Sequence, residues 1–187
     1  MKIDRKLSLV LLAAGVIVAV CGWRLAVNRP QSYSDQLAEA RIEISAPDFE
    51  ALDAHNQMFR LQRYLSRHRV LVVFFSAETT AAGDAALLTI RDAYPALEKA
   101  GIKVVGVSQA LPQQNRAAME SVGEFPFPLV SDVDLTIHLK WGRIDPESKR
   151  PTAGVFLIDR KGTVLSFGGL PQPVADWLAL LRELTAS

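Results

Sequence analysis

The polar residues whose types and spacing bear most directly on chemistry lie in one short stretch. Ser76, Glu78, Thr80 and Asp84 follow an apolar run at residues 70–75 and lead into a helical pattern that begins at residue 84. A carboxylate at such a loop-to-helix junction can act as a general base. Asp84 equally suits a plainer role as helix N-cap or first-turn residue, where its charge meets the helix dipole. Thr80 suits hydrogen bonds to loop backbone groups. Ser76 lacks Gly-x-Ser-x-Gly surroundings, so a nucleophilic serine is not indicated. His55, His68 and His138 are the three histidines and lie at no ligand-like spacing, so no metal site is expected. His138, shortly before Trp141, reads as a surface or packing residue. The glycines are dispersed as caps and turns, with no phosphate-cradling loop, and no cofactor is expected. The only cysteine, Cys21, lies inside an apolar N-terminal run. One cysteine excludes an intramolecular disulfide, Cys-x-x-Cys redox chemistry and any zinc site built on several thiolates. Within lipid its thiolate is disfavoured, and it should behave as a small apolar residue.

The chain has 187 residues, 49% of them hydrophobic, and a formal charge of +1. That allows one domain of ordinary size with an appendage. The near-zero charge gives no reason to expect nucleic acid as a partner. There is no charge block, low-complexity tract or internal repeat.

Residues 7–23 carry no charge, and Leu7, Leu11, Val16, Val20 and Trp23 mark the run. At about 1.5 Å per residue it spans on the order of 26 Å, slightly short of a hydrocarbon core of roughly 30 Å. Arg24 can snorkel, so the helix can continue to Val27 and complete a single span, with Trp23 as interfacial anchor. Lys2, Arg5 and Lys6 precede the run, offset only by Asp4, and by the positive-inside tendency they stay cytoplasmic. Arg24 and Arg29, beyond the span, act against that orientation. The remainder would then be periplasmic, held at a cell inner membrane. An uncleaved signal anchor competes here with a cleaved signal peptide and with a lipoprotein modified at Cys21. The small-x-small triplet Ala38-Glu39-Ala40 lies far downstream for cleavage, and Val18-Ala19-Val20 puts a bulky residue where a lipoprotein signal has Gly or Ala. The domain plan is therefore an anchor over residues 1–27, a polar tether over 28–45 with a short helix at 35–42, and a folded domain over 46–187.

Within that domain the pattern alternates strand and helix. The continuous apolar run 70–75 predicts a buried parallel strand, and residues 102–107 predict a second. Helices are expected at 84–100, 112–122 and 134–141, closed by Gly101, Gly123 and Gly142. Pro95 should kink or split the first of them. A hairpin at 154–158 and 163–167 turns on Asp159-Arg160-Lys161-Gly162. A last amphipathic helix at 171–184 presents Val174, Trp177, Leu178, Leu181 and Leu184 on one face, with Pro171 in its first turn. Right-handed crossovers make the two parallel strands neighbours, and the hairpin adds antiparallel strands to an α/β sandwich.

That order, and a set of motifs along it, resembles the thioredoxin-like fold in its alkyl hydroperoxide reductase and thiol-specific antioxidant branch, especially peroxiredoxins of the bacterioferritin-comigratory type. The motifs are Ala46-Pro47-Asp48-Phe49, the strand at 70–75, Arg91-Asp92 with Tyr94, and Phe125-Pro126-Phe127-Pro128-Leu129-Val130-Ser131-Asp132. Trp141-Gly142 and Val155-Phe156-Leu157-Ile158-Asp159 with Gly162 complete the set. The resemblance spans about residues 46–167. It implies a peroxiredoxin-type three-layer α/β sandwich, preceded here by one transmembrane helix.

The resemblance also implies a loop of the form Pro-x-x-x-Thr-x-x-Cys. Here those positions hold Ser76, Thr80 and Gly83, so the peroxidatic cysteine is Gly83 and the proline is Ser76. The glutamate usual after the cysteine is Ala86, and the arginine expected before the hairpin falls near Ala153, with Arg150 a few residues early. No resolving cysteine remains. The family's activity depends on a low-pKa thiolate that attacks peroxide oxygen, and no other side chain here replaces it. Fold does not carry function with it. The expectation is a domain with a vestigial site at Ser76, Thr80, Gly83 and Asp84, acting as a non-catalytic subunit or binding module of a membrane complex. Two rivals stay open: an oxidoreductase using a non-cysteine group or a partner's thiol, and a periplasmic assembly factor. Arg143, Lys149, Arg150, Arg160 and Lys161 read either as a solvated basic face or as a surface for an acidic partner or lipid headgroups. No residue pattern sets an oligomeric state.

Overall fold

The two apolar runs expected as parallel strands form the centre of a six-stranded sheet. The computed structural model describes residues 44–76, 78, 80–165 and 176–186. Strands β1 (Ile44–Ser45), β4 (Arg69–Phe74), β5 (Ile102–Ser108), β6 (Leu129–Ser131), β7 (Gly154–Ile158) and β8 (Thr163–Leu165) lie in the order β1-β8-β7-β4-β5-β6. β4, β5 and β6 are mutually parallel, while β7, β8 and β1 continue the sheet antiparallel. Strands β2 (Glu50–Leu52) and β3 (Met58–Arg60) form a separate hairpin. The helices are α1 (Gln62–Leu65), α2 (Thr80–Gly83), α3 (Ala85–Lys99), α4 (Pro112–Val122), α5 (Thr136–Lys140) and α6 (Trp177–Thr185).

Strand alternation builds two cores and hence three layers. Leu71, Val73, Ile102, Val104, Val155 and Leu157 face α3, α4 and α6, where Leu87, Ile90, Leu97, Met119, Leu180 and Leu184 meet them. Val70, Val72, Phe74, Val105, Val107, Phe156 and Ile158 face the opposite way, onto Leu61, Leu65, Ile137, Trp141 and the β2–β3 hairpin residues. At Gly106, side chains from β6 and from just past the end of β4 close over β5. A Cβ there would stand 2.7 Å from Leu129 Cδ2 and 3.1 Å from Phe75 Cε1. The β7–β8 turn is held by Asp159, whose carboxylate accepts from the N–H groups of Lys161 and Thr163, and Gly162 takes the left-handed position at φ 83°.

Several expectations change. Ile44 and Ser45, assigned to the tether, pair with Val164 and Thr163 as an edge strand. The β2–β3 hairpin was not expected. Pro95 does not split α3, which runs through it. Leu87 and Ile90 before it and Leu97 after it are all buried, so packing holds both halves against one missing hydrogen bond. The third helix begins at Thr136 rather than residue 134, because Leu135 is left-handed at φ 60°. On α6 the buried face is Leu180, Leu181 and Leu184, and Leu178 is 41% exposed. Trp177, Leu181 and Leu184 pack as expected, and Leu180 takes the place expected for Leu178. Residues 166–175, including the expected start of this helix, lie outside the described residues, as do the helix expected at 35–42 and the anchor residues Leu7, Leu11, Val16, Val20 and Trp23. Among the described residues, no helix is long and apolar enough to cross a membrane.

Candidate functional site

Parallel strands deliver loops to their C-terminal ends, and here the loop after β4 meets the turn before β7. The chain leaves the sheet after Phe75, whose N–H still donates to Val107 O at 3.0 Å. Ser76 Oγ accepts from Glu78 N at 3.1 Å. Glu78 then reaches Arg150, whose Nη1 donates to Glu78 Oε1 at 3.2 Å. Ser76, Glu78, Leu135, Lys149, Arg150 and Pro151 line an open pocket of about 330 Å³. Arg150 lies early in sequence for the arginine that the resemblance implies, yet its guanidinium enters the loop region directly.

Thr80, Gly83 and Asp84 take structural places beside that pocket and do not line it. Thr80 opens α2 in the left-handed region at φ 54°, an uncommon state for a β-branched residue. Ala81 is fully buried and ties this single turn to the core, while Gly83 is exposed at its end. Asp84 is the N-cap of α3: its backbone is extended, and its Oδ1 accepts from Leu87 N at 2.9 Å. Of the two roles open to Asp84, capping is the one it fills. No thiol is present among residues 22–187.

The basic residues do not share a face. The β4–β7 register pairs Phe74 with Gly154 and Val70 with Ile158. Lys149 and Arg150 therefore sit at the C-terminal end of β4. Arg160 and Lys161 sit in the turn at its other end, beside Gly101, and a six-residue strand of about 20 Å separates them. Arg143 is half-buried, its guanidinium 5.8 Å from the Phe156 ring centroid, and burial lowers its pKa. The expected five-residue cluster reduces to Lys149 and Arg150.

A polar feature missed in the sequence lies under α5. Asp132 Oδ1 accepts from Ile137 N at 3.0 Å, and Oδ2 accepts from His138 N at 2.8 Å and contacts His138 Nδ1 at 2.6 Å. Both side chains are only 1% exposed. Burial works against the Asp132 charge, but the hydrogen bonds from the His138 ring and from the two backbone N–H groups outweigh it and hold the carboxyl below its usual range. The His138 ring stands edge-on to Phe74, centroids 5.0 Å apart, so His138 is a packing residue and not a surface one. The sequence showed Asp132 only as the end of a family-like motif and His138 on an expected helix, and nothing in the spacing showed that the two would meet in the core. Among the described residues, no group of three or more His, Cys, Asp and Glu side chains could hold a metal ion.

A family model described as the AhpC/TSA family matches residues 42–166. Alkyl hydroperoxide reductase E of Mycobacterium tuberculosis is 30% identical over 152 residues, covering 78% of this chain and 98% of that protein. The selenocysteine-containing peroxiredoxin PrxU of Peptoclostridium acidaminophilum is 29% identical over 151 residues, covering 75% of this chain and 74% of that protein. The crystal structure of peroxidoxin BcpB from Mycobacterium tuberculosis superposes with a TM-score of 0.63 at 21% identity, over 77% of this chain and 95% of that one. At that identity the superposition shows the thioredoxin-like peroxiredoxin fold alone.

Proposed function

The chain belongs to the AhpC/TSA family, and on that premise we propose that it is a membrane-anchored member without cysteine catalysis, serving as a binding subunit of a membrane complex. One observation carries the reading. The only cysteine, Cys21, precedes the folded domain, and the position implied for the peroxidatic residue is Gly83. In thiol-dependent peroxide reduction, a soft thiolate makes a two-electron attack on the peroxide oxygen. The neighbouring groups do not supply one. Asp84 is engaged in capping α3, and Glu78 is paired with Arg150. The hydroxyls of Ser76 and Thr80 are hard, neutral oxygens. The apolar run at 7–23 supports an anchor, and Lys2, Arg5 and Lys6 before it support a periplasmic domain. Anchoring confines the domain to two dimensions and raises its effective concentration at a membrane partner.

The test is peroxide consumption by the full-length chain in neutral detergent, with a dithiol reductant, beside its Cys21→Ser variant. The expected rate equals the uncatalysed one for both. Turnover that falls on Thr80→Ala or Asp84→Ala would instead establish an oxidoreductase working through a non-cysteine group. Purification of the tagged chain from membranes should bring a partner in stoichiometric amount.

A further inference from the structure

The pocket between the loop after β4 and the turn before β7 is built for an anion. Arg150 uses one N–H on Glu78, and that contact is single, at 3.2 Å between Nη1 and Oε1. Its fork retains donors for a bidentate carboxylate. Lys149, alongside it, has no carboxylate within ion-pair distance among the described residues. Both partners of the Arg150–Glu78 pair are more than 70% exposed, so the pair is weak and easily exchanged.

The cations are also preorganised. Residues 145–150 form a closed turn: Asp145 N donates to Arg150 O at 2.8 Å and Lys149 N to Asp145 O at 3.0 Å. The Asp145 carboxylate accepts from Ser148 N, Ser148 Oγ and Glu147 N. Those bonds occupy Asp145, with Ser148 the leading cause of its lowered pKa. Lys149 stands at φ 57° and Leu135, across the pocket, at φ 60°. Two non-glycine residues in the left-handed region of one small pocket are strain that the surrounding fold must hold in place, and such strain clusters at binding sites. Leu135 and Pro151 give the pocket an apolar wall. About 330 Å³ is at the low end for ligand pockets, room for one carboxylate side chain with its methylene stem.

We propose that this pocket receives a carboxylate from an acidic segment of a partner protein, which takes the place of Glu78 on Arg150 while Lys149 neutralises the remaining charge. This rests on the reading of the chain as a binding module and names the chemistry of what it binds.

The test uses the full-length chain in neutral detergent at low salt and a fluorescein-labelled hexaglutamate peptide, read by anisotropy. Arg150→Gln should weaken binding by about fivefold, and Lys149→Gln with Arg150→Gln by about twentyfold. Glu78→Gln removes the internal competitor and should tighten binding by about threefold. Arg160→Gln, at the opposite end of the sheet, should leave the affinity unchanged. All four positions are exposed, so folding is not at stake. Equal affinity for wild type and the Arg150 and Lys149 variants, or equal weakening by Arg160→Gln, overturns the proposal. So does stronger, Arg150-dependent binding to phosphatidylglycerol vesicles, which would assign the pocket to a lipid headgroup. Peroxide consumption by the same samples separates the two levels. Turnover overturns the binding-module reading, whereas no turnover with no variant dependence overturns the pocket alone.

Discussion

Replacing Asp132 with Asn tests whether a buried carboxylate organises the layer under α5. The native carboxylate meets three donors, Ile137 N at 3.0 Å, His138 N at 2.8 Å and His138 Nδ1 at 2.6 Å. An Asn has one oxygen and one amide nitrogen. If its oxygen stays on Ile137 N, its nitrogen faces the backbone N–H of His138, donor against donor. The imidazole can adapt by changing tautomer, but the backbone N–H cannot. One buried donor is orphaned and the charge-assisted bonds are lost, at a cost of about 3 kcal/mol. For a domain of this size that lowers Tm by about 10 °C. The control is Asp134→Asn. Asp134 also accepts a helix N–H, Thr136 N at 3.1 Å, but at the exposed surface, and its loss should cost less than about 1 kcal/mol. Circular dichroism melts of the full-length chain in detergent give both numbers. The pH dependence follows from the lowered Asp132 pKa. A carboxyl depressed in the folded state contributes its stability above the unfolded value, roughly 3.9, and loses it as pH falls through the folded value. The gap between wild type and Asp132→Asn should therefore narrow as pH falls below about 4. An Asp132→Asn variant no less stable than Asp134→Asn at neutral pH, or a gap that does not narrow in acid, refutes the reasoning.

Three further outcomes are expected. Gly106→Ala should destabilise by about 1–3 kcal/mol in chemical denaturation, because the added methyl meets Leu129 and Phe75 inside van der Waals distance. Asp84→Ala should cost about 1 kcal/mol of stability through the lost α3 cap and leave peroxide consumption at the background rate. Without added reductant, Gly83→Cys should make the chain reduce about one equivalent of peroxide to water or alcohol as the thiolate becomes sulfenic acid, and then stop, since residues 84–187 hold no resolving thiol. No consumption beyond wild type would show that the position is not aligned as the family implies.

The elements that read clearly in the sequence are those in which one periodicity dominates. β4 and β5 are mostly apolar and buried on both faces, interrupted only by Arg69 at the start of β4, Lys103 near the start of β5 and the buried Ser108 at its end, and β7 matched its expected bounds because Asp159 and Gly162 mark its turn. The β2–β3 hairpin escaped notice because the alternation of Phe49 and Ala51 before the turn and of Phe59 and Leu61 after it is broken by the apolar but exposed Leu52 and Met58. The strands are too short for period two to stand out, and the left-handed residue of the turn is Asn56 rather than Gly. The shift on α6 from Leu178 to Leu180 has another cause. Leucines at 178, 180, 181 and 184 permit two helical stripes, and only the position of the sheet decides between them. Asp132 was legible as a motif residue and His138 as a surface or packing residue, but not as a pair, because their meeting depends on α5 packing over Phe74.

The same separation between scaffold and chemistry explains how a family member can lose its thiol without losing its fold. Gly83 is exposed at the end of a single helical turn, and a side chain there buries little area. What fixes the loop lies elsewhere: Ala81 is sealed in the core, Asp84 caps α3, and Phe75 N remains bonded to Val107 O. None of these groups takes part in two-electron chemistry, so each persists whether or not a nucleophile occupies residue 83. Arg150 is the exception that gives the pocket its interest. Its pair with Glu78 is exposed and adds little to stability, and its turn is kept at the cost of a left-handed Lys149. Glycine or asparagine would take that backbone state at lower cost, and Lys149 in it, with Arg150 beside it, gives the turn the two adjacent cations on which the carboxylate proposal rests.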